Sequence, residues 1–232
     1  MEFDDSSLTA DLVEQQLLLW NSRRLAEHEK PNRESGLRFL TIARDEGSLG
    51  NEVALELSRR LGWHVFDKEI VTFIARNAHV RENLVRQLDQ KSQNLIEDTI
   101  SRLLRMPEYA SFGSEEYHES LLRTLVCLAT QGAAILVGRG ANFALREDER
   151  GFRVRVTASP EVRIQRLRRV WNVAQDEASR RMRAGDEERR NFIQQYFRGD
   201  FDDASVYDLT CNTDRLSVER TVTTILSAMN LS

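Results

Sequence analysis

The sequence predicts an α/β domain in which helices cover both faces of a mainly parallel, five-stranded sheet. Apolar runs typical of buried strands alternate along the chain with amphipathic helical segments, and this alternation is characteristic of βαβ units. A glycine-containing turn directly follows the first strand and precedes a helix, which is how a nucleotide-binding βαβ unit begins. The chain has 232 residues, a length that one domain of this kind can fill.

Five short segments rich in apolar residues are predicted to be strands; they lie at 37–44, 63–67, 133–140, 152–159 and 207–213. The segments between them show helical spacing of apolar residues; helices are predicted at 51–62, 68–80, from Pro160 onward and at 217–229. In the first of these helices Val53, Leu57 and Leu61 form one apolar stripe, and Gly62 is a suitable C-cap. Residues 81–130 are expected to be mainly helical, with a loop near 106–116.

The N-terminal part of the chain is predicted to be separate from this domain. Residues 1–36 are interpreted as an amphipathic helix and a linker, and residues 37–232 as the α/β domain. The helix carries a leucine-rich stripe that includes Trp20, and Pro31 ends it. The stripe either packs on its own domain or pairs with a second copy of the chain as a homodimer.

Composition and charge argue against several kinds of partner. The formal net charge is −4, whereas proteins that bind nucleic acid usually carry a strong basic excess, so no nucleic acid is expected. No apolar run approaches the roughly 20 residues of a membrane span, and the acidic N-terminus lacks the basic region of a signal peptide. We therefore expect a cytoplasmic protein without a membrane partner. The histidines lack metal-ligand spacing, and no protein-held metal site is predicted.

The turn at 43–54 has the composition of a phosphate-binding loop. Gly47 and Gly50 allow the backbone to turn tightly and to bring amide groups close to an anion, and Ser48 lies between them. The helix that follows adds the positive end of its dipole. The alternative is an ordinary strand-to-helix turn, which this spacing alone does not exclude.

This loop departs from the G-x-x-x-x-G-K-[ST] pattern of P-loop proteins. When the two are aligned, Gly50 stands at the place of the lysine that contacts the β- and γ-phosphates, and Asn51 at the first hydroxyl place. Arg44 comes just before the loop and is a candidate source of positive charge. We therefore include Arg44 and Asn51 with the loop residues as candidate phosphate ligands.

A second candidate site follows the third predicted strand, at GRGANF (138–143). Ligands of open α/β sheets bind outside the carboxyl ends of the strands, where Arg139 is suited to hold a phosphate. The alternative is an arginine paired with an acid across a loop. Asp67, at the end of the second strand, is a candidate for orienting a substrate, although aspartate at that place also favours a helix N-cap.

A third candidate is the arginine-rich segment 180–197, which we interpret as part of a lid covering about 172–198. Phosphoryl transfer requires cations that close over the transferring group, and a lid also excludes water. All but three of the 33 basic residues are arginines; arginine suits bidentate contact with phosphate, and a compositional bias of the genome is the alternative explanation of this excess. The alternative is a solvated helix whose arginines are balanced by Asp186 and the two glutamates after it.

Taken together and in order, these segments resemble the cytidylate kinase-like family. The segments that carry the resemblance, over roughly 37–230, are TIARDEGSLGNEVALELSRRLGWHVFDKEI, AAILVGRGANFAL, VRVTASPEVRIQRL, the DEERRNF lid and VYDLTCNTDRLSVE. The resemblance implies a P-loop NTPase-like, three-layer α/β/α fold with strand order 2-3-1-4-5 and a small helical lid. It also implies ATP with Mg²⁺ as phosphate donor and CMP or dCMP as acceptor.

The resemblance implies three sets of site residues. These are Gly47, Ser48 and Gly50 for the donor phosphates, Arg139 for the acceptor phosphate, and the lid residues Arg183 and Arg189, with Asp186 holding the lid. The family's D-T-G-x-x-Y-R acceptor segment reads DKEIVTF here, with Thr72 and Phe73 at the tyrosine and arginine places.

Three functions follow from these patterns. The first is an ATP-dependent phosphotransferase that acts on CMP, dCMP or a similar small acceptor. The second is a non-catalytic module that senses nucleotides, which the altered loop and the extra N-terminal helix favour. The third is a kinase of a different small molecule on the same fold, favoured by the altered acceptor segment.

Overall fold

The computed structural model describes residues 13, 15–17, 19, 20, 22, 36–107 and 113–230. Within them lies one five-stranded sheet of order β2-β3-β1-β4-β5, in which every neighbouring pair is parallel. The strands are β1 (Phe39–Arg44), β2 (His64–Phe66), β3 (Ala134–Val137), β4 (Gly151–Thr157) and β5 (Leu209–Asn212). The predicted fold and strand order are confirmed.

Besides the N-terminal helix, nine α-helices of the described part of the chain surround the sheet. They are α1 (Gly50–Leu61), α2 (Lys68–Arg76), α3 (Ala78–Arg86), α4 (Gln90–Leu103), α5 (Glu115–Gln131), α6 (Ala141–Ala144), α7 (Pro160–Trp171), α8 (Gln175–Phe197) and α9 (Val218–Ala228). A short 3₁₀ helix covers Ala204–Val206. None of the helices in the described residues combines the length and the apolarity that crossing a membrane would require.

Strand β1 shows how the sheet becomes the centre of two cores. All six of its residues are buried, and its side chains alternate between the two faces of the sheet. Phe39 and Ala43 join a core formed with α2–α6 and the end of α8, whereas Leu40 and Ile42 join the core under α1 and α9. Such a strand must be apolar on both faces, which explains its continuous hydrophobic run.

The predicted helix at 68–80 is two helices in the structure. Asn77 lies between α2 and α3 in an extended conformation, and its side chain accepts a hydrogen bond from the Val80 amide at 3.2 Å. Asparagine side chains compete with helical hydrogen bonding in this way and favour N-cap positions. The single-helix prediction was therefore wrong at this residue, although the helical content is as expected.

The apolar stripe of the N-terminal helix packs on the chain's own domain. Val13, Leu17 and Trp20 are helical and buried in the larger core. The indole Nε1 of Trp20 donates a hydrogen bond to the Ala133 carbonyl at 3.2 Å, and its ring meets the Phe66 ring edge to face at 4.8 Å. These three residues are thus used within the chain, whereas Leu19 is exposed. A homodimer formed through this helix stays a prediction. Apart from residues 15, 16, 19 and 22, the rest of residues 1–35 lies outside the described residues.

Replacing Trp20 with phenylalanine is expected to lower the free energy of unfolding by about 1 kcal/mol. The smaller ring keeps most of the apolar contact, but the indole hydrogen bond is lost and the Ala133 carbonyl loses a partner. Chemical denaturation of the purified protein measures this change. If the helix paired with a second copy instead, the loss would depend on protein concentration, which the intramolecular packing does not predict.

Candidate active site at the phosphate loop and α8

The loop between β1 and α1 turns tightly beyond the carboxyl end of the central strand. Gly47 has φ 79°, and Leu49, at the N-cap of α1, has φ 66°. A non-glycine residue in this left-handed region costs roughly 1–2 kcal/mol, so the surrounding contacts must hold the loop in place. No side chain caps α1, and the first-turn amides of this helix have no intrahelical acceptor.

Three consecutive backbone carbonyls, at residues 46–48, are held from outside the loop. They accept hydrogen bonds from Arg163 Nη1 at 3.2 Å, Arg166 Nη1 at 3.3 Å and Thr213 Oγ1 at 2.9 Å. In a trans peptide the following N–H points opposite to the carbonyl, and the described chain contains no cis peptide. The amides of Gly47 and Leu49 therefore point toward the inner side of the loop, which is the arrangement of an anion-binding nest.

Replacing Thr213 with valine is expected to lower the free energy of unfolding by about 1–3 kcal/mol. Thr213 is 1% exposed, and its hydroxyl both bonds the Ser48 carbonyl and accepts from Arg166 at 3.0 Å. The isosteric valine leaves the buried Ser48 carbonyl without this donor, and Arg166 Nη1 keeps only its bond to the Gly47 carbonyl. Chemical denaturation tests this, with Thr224→Val as the control because Thr224 is exposed and bonds only its own helix at Arg220. Equal losses in the two variants would contradict the anchoring role.

Arg44 extends from the end of β1 into the same region. It is 8% exposed, and its Nε donates a hydrogen bond to Asn51 Oδ1 at 3.0 Å. Burial, and then the positive charge of Arg189, lower the pKa of Arg44 to about 10. The guanidinium therefore remains protonated at neutral pH, in a place where an anion would offset the cost of burying it.

The predicted lid is one continuous helix, α8, which lies against the phosphate loop. Asp186 is buried; its Oδ1 accepts from the Glu46 amide at 2.9 Å, and its Oδ2 accepts from Arg163 Nη1 at 2.6 Å. Arg189 pairs with the Glu46 carboxylate and lies 3.7 Å from Asp186. Gly185 permits this approach, because a Cβ there would lie 3.3 Å from Glu46 Oε2.

The second predicted site lies beside the loop. Gly138 continues from β3, and its amide bonds the Ile42 carbonyl at 3.1 Å, so the turn after β3 meets the end of β1. Arg139 has φ 49°; its Nε donates to Thr72 Oγ1 at 2.7 Å, and its guanidinium lies 4.9 Å from the centroid of the Phe192 ring. Arg139 therefore lines the site, and its side chain is held by a hydroxyl and an aromatic face. It has no acidic partner among the described residues.

These groups converge on one pocket at the carboxyl edge of the sheet. Its empty volume is about 660 Å³, including space open to solvent. It is lined by Ala43, Arg44, Glu46, Lys68, Gly138, Arg139, Gly140, Asn142, Phe143, Gly185, Glu188, Arg189, Phe192, Ile193 and Phe201. Four cationic side chains face two carboxylates there, so the pocket favours an anionic ligand.

The predicted site residues divide into two groups. Arg44, Arg139 and Arg189 line the pocket, and the loop residues and Asp186 adjoin it. Asp67 caps α2 by accepting from the Ile70 amide at 2.9 Å and is not among the lining residues. Arg183 is exposed and also lies outside the lining. The roles of both residues stay predictions.

Sequence reasoning missed several of the pocket residues, and helical periodicity in α8 was a signal for some of them. Gly185, Glu188, Arg189 and Phe192 recur at intervals of three and four, so they share one face of the helix. Arg183 is six positions before Arg189, which places it about 120° away around the helix. Lys68, at the start of α2, was missed because nothing local separates it from a surface lysine.

No group of three or more His, Cys, Asp and Glu side chains that would hold a metal ion occurs in the part of the chain that the structure describes. Ser48 Oγ donates to the Asp45 carbonyl at 2.8 Å, and Asn51 Oδ1 is occupied by Arg44. The Asn51 side-chain oxygen is thus engaged by Arg44, whereas the Ser48 hydroxyl, which only donates, keeps its lone pairs.

Known proteins resemble this chain in both sequence and structure. A family model described as the cytidylate kinase-like family matches residues 39–215. A protein named cytidylate kinase from Methanocaldococcus jannaschii is 28% identical over 131 residues, which are 54% of this chain and 72% of that protein. An uncharacterized protein from Eubacterium ventriosum ATCC 27560 superposes with a TM-score of 0.65 at 15% identity, over 84% of this chain and 99% of that one. At this identity the structural likeness shows the fold alone.

Proposed function

Because this chain belongs to the cytidylate kinase-like family, we propose that it transfers the γ-phosphoryl group of ATP to CMP, dCMP or a similar small acceptor. Family membership supports the coarser statement, a kinase-like phosphotransferase that binds a nucleotide of the ATP type. In the proposed reaction an anionic phosphate oxygen of the acceptor bonds to the γ-phosphorus. The bridging P–O bond to the β-phosphate breaks, and its electron pair leaves with ADP. No side chain has to act as a strong base, because positioning and electrostatics dominate this chemistry.

One observation carries the proposal: four cations from four separate segments meet in one pocket. Arg44 ends β1, Lys68 begins α2, Arg139 follows β3, and Arg189 belongs to α8. Glu46 and Glu188 offset only part of this positive charge, so an anion bound between the cations would be favourable. A phosphoryl group whose negative charge spreads over its oxygens in the transition state is an anion of the required kind.

The pocket has two sides that suit the two substrates. The inner amides of the loop and the N-terminus of α1 favour the donor phosphates. Arg139 and Lys68, on the neighbouring side, favour the anionic group of the acceptor, and Arg139 is oriented for this by Thr72 and Phe192. Arg189 pairs with Glu46 of the loop and also lines the pocket, and we assign it to the transferring group.

Mg²⁺ would enter this site together with the nucleotide. It is usually held in such sites by one or two carboxylates together with phosphate oxygens and water. Glu46 and Glu188 are the carboxylates in the pocket wall, and Glu46 already pairs with Arg189. These residues fit a Mg²⁺ that phosphate oxygens hold for the most part, with Glu188 as the available protein carboxylate. The ion would supply charge neutralisation at the β- and γ-phosphates.

A specific contact favours the second candidate, a module that senses nucleotides. The Glu46 carboxylate holds Arg189, and Asp186 joins α8 to the loop backbone. A bound phosphate that took Glu46's place on Arg189 would change how α8 rests on the loop, and that change could be read by a partner without catalysis.

The experiment that separates these functions is coupled ADP release with ATP, Mg²⁺ and each of CMP, dCMP, UMP and AMP. Turnover that depends on CMP or dCMP supports the proposed reaction. ATP binding without turnover on any of the four favours the sensing module or a kinase of another small molecule, which a wider acceptor panel then distinguishes. Absence of ATP binding would contradict all three.

A further inference from the structure

The side chains at positions 44 and 50 exclude one another in space. A Cβ added to Gly50 would lie 2.4 Å from the Cβ and 2.8 Å from the Cγ of Arg44. The Cβ of Arg44 cannot move far, because the backbone of β1 fixes it and Arg44 is paired with Val156 of β4. A lysine at position 50, where the P-loop pattern has one, is therefore incompatible with Arg44 in this loop.

The Arg44 guanidinium is placed as a ligand-binding group would be. Asn51 holds its Nε, and Nη1 lies 2.6 Å from where a Cβ of Gly138 would be, so both glycines make room for this one side chain. The side chain is buried at the wall of the pocket. Among the described residues no carboxylate forms an ion pair with it. Glu46, Glu69 and Asp67 act on its charge only from beyond ion-pair distance, so an anion bound directly to the guanidinium would compensate its burial more fully.

We propose that Arg44 is the cation that binds the donor phosphates in this chain, and that it replaces the missing lysine of the loop from the other side of the same space. This inference rests on the proposed use of a nucleoside triphosphate as donor. Arg44 contacts the β- and γ-phosphates and stabilises the charge that grows on the bridging oxygen as the γ P–O bond breaks. Because a guanidinium is planar and is oriented here by Asn51, it binds the phosphates in one fixed geometry.

The first test measures Mg·ATP binding by isothermal titration calorimetry for the wild type and for Arg44→Met, which removes the charge but keeps the apolar stem. We expect a loss of affinity of about 10- to 100-fold, as for a charge-assisted hydrogen bond. Arg38→Met is the matched control: Arg38 precedes β1 at its other end and is partly buried. Thermal unfolding of each variant shows whether it is folded.

The second test moves the positive charge from position 44 to position 50, whose side chains would occupy the same space. Arg44→Gly is compared with the double variant Arg44→Gly/Gly50→Lys, in which the lysine has the room that Arg44 vacated. We expect the double variant to recover most of the affinity that Arg44→Gly loses. This readout does not depend on the stability of the Arg44→Met variant, and a merely structural role of Arg44 would not produce the recovery.

The outcomes separate this inference from the proposed reaction. Weakened ATP binding in Arg44→Met with recovery in the double variant supports the inference, even if no acceptor is phosphorylated. Affinity within about twofold of the wild type in Arg44→Met overturns it and leaves the phosphotransferase proposal standing. If the double variant binds Mg·ATP no more tightly than Arg44→Gly, the idea that Arg44 occupies the place of the loop lysine is overturned. If the wild type binds no Mg·ATP, both proposals fail.

Discussion

Replacing Asp186 with alanine is expected to lower the free energy of unfolding by about 3–5 kcal/mol. Asp186 and Arg163 are both buried, with 9% of each side chain exposed, and their atoms approach to 2.6 Å. Without the carboxylate, the positive charge of Arg163 stays buried and unpaired, and the Glu46 amide loses its acceptor as well. Urea denaturation at neutral pH measures the change.

The matched control for this prediction is Glu177→Ala in the same helix. Glu177 also bonds two arginines, Arg180 and Arg181, but this cluster is exposed to solvent. Solvent screens such pairs, so the control should leave the free energy of unfolding nearly unchanged. A second comparison is the double variant Arg163→Met/Asp186→Leu, which removes both charges and should recover much of the lost stability. Similar losses in Asp186→Ala and Glu177→Ala would show that the buried pair does not hold α8.

The Asp186–Arg163 pair also bears on ligand binding, because both residues hold the backbone of the phosphate loop in addition to stabilising the fold. Arg163 holds the Glu46 carbonyl while Asp186 holds the Glu46 amide. The carbonyl of Glu46 is thus held by a residue of α7, and its amide by a residue of α8. The double apolar variant, even if it is stable, loses both contacts, and we expect it to bind Mg·ATP more weakly than the wild type.

The sequence predicted the fold well because its strongest signals are local. The run FLTIAR is apolar on both faces of a strand, and GNEVALELSRRL has one buried stripe. Each pattern indicates its element without any knowledge of the neighbours. The strand order came from the family resemblance, since the spacing of the strands alone does not determine which of them are adjacent.

The candidate site was harder to predict because it depends on distant contacts. Thr213 and Arg166 meet the loop across more than a hundred residues, and no local pattern singles them out. With so many arginines in the chain, composition could not separate Arg189, which faces the loop, from Arg183, which faces solvent. The exclusion between Gly50 and Arg44 arises only from the path of the turn between them.

Replacing Arg139 with alanine is expected to lower kcat/KM for the acceptor by about 10²- to 10³-fold, the loss typical of removing one preorganised donor from a transition state. Arg139 lines the pocket, and its side chain contacts Thr72 and Phe192 rather than an acid. Its charge is therefore available to the acceptor's anionic group. Steady-state ADP release measures the loss, while calorimetry should show nearly unchanged affinity for Mg·ATP.

Three companion variants sharpen the Arg139 prediction. Arg146→Ala removes an exposed arginine that pairs with Glu147, and it should leave both readouts unchanged. Arg139→Lys keeps the charge but not the planar fork, so it should recover only part of the activity. Thr72→Val keeps the guanidinium but releases its Nε, and we expect a smaller loss than with alanine at 139. If Arg139→Ala instead weakened Mg·ATP binding and left the acceptor's KM unchanged, Arg139 would belong to the donor side. The acceptor would then have to bind nearer Lys68 and α2.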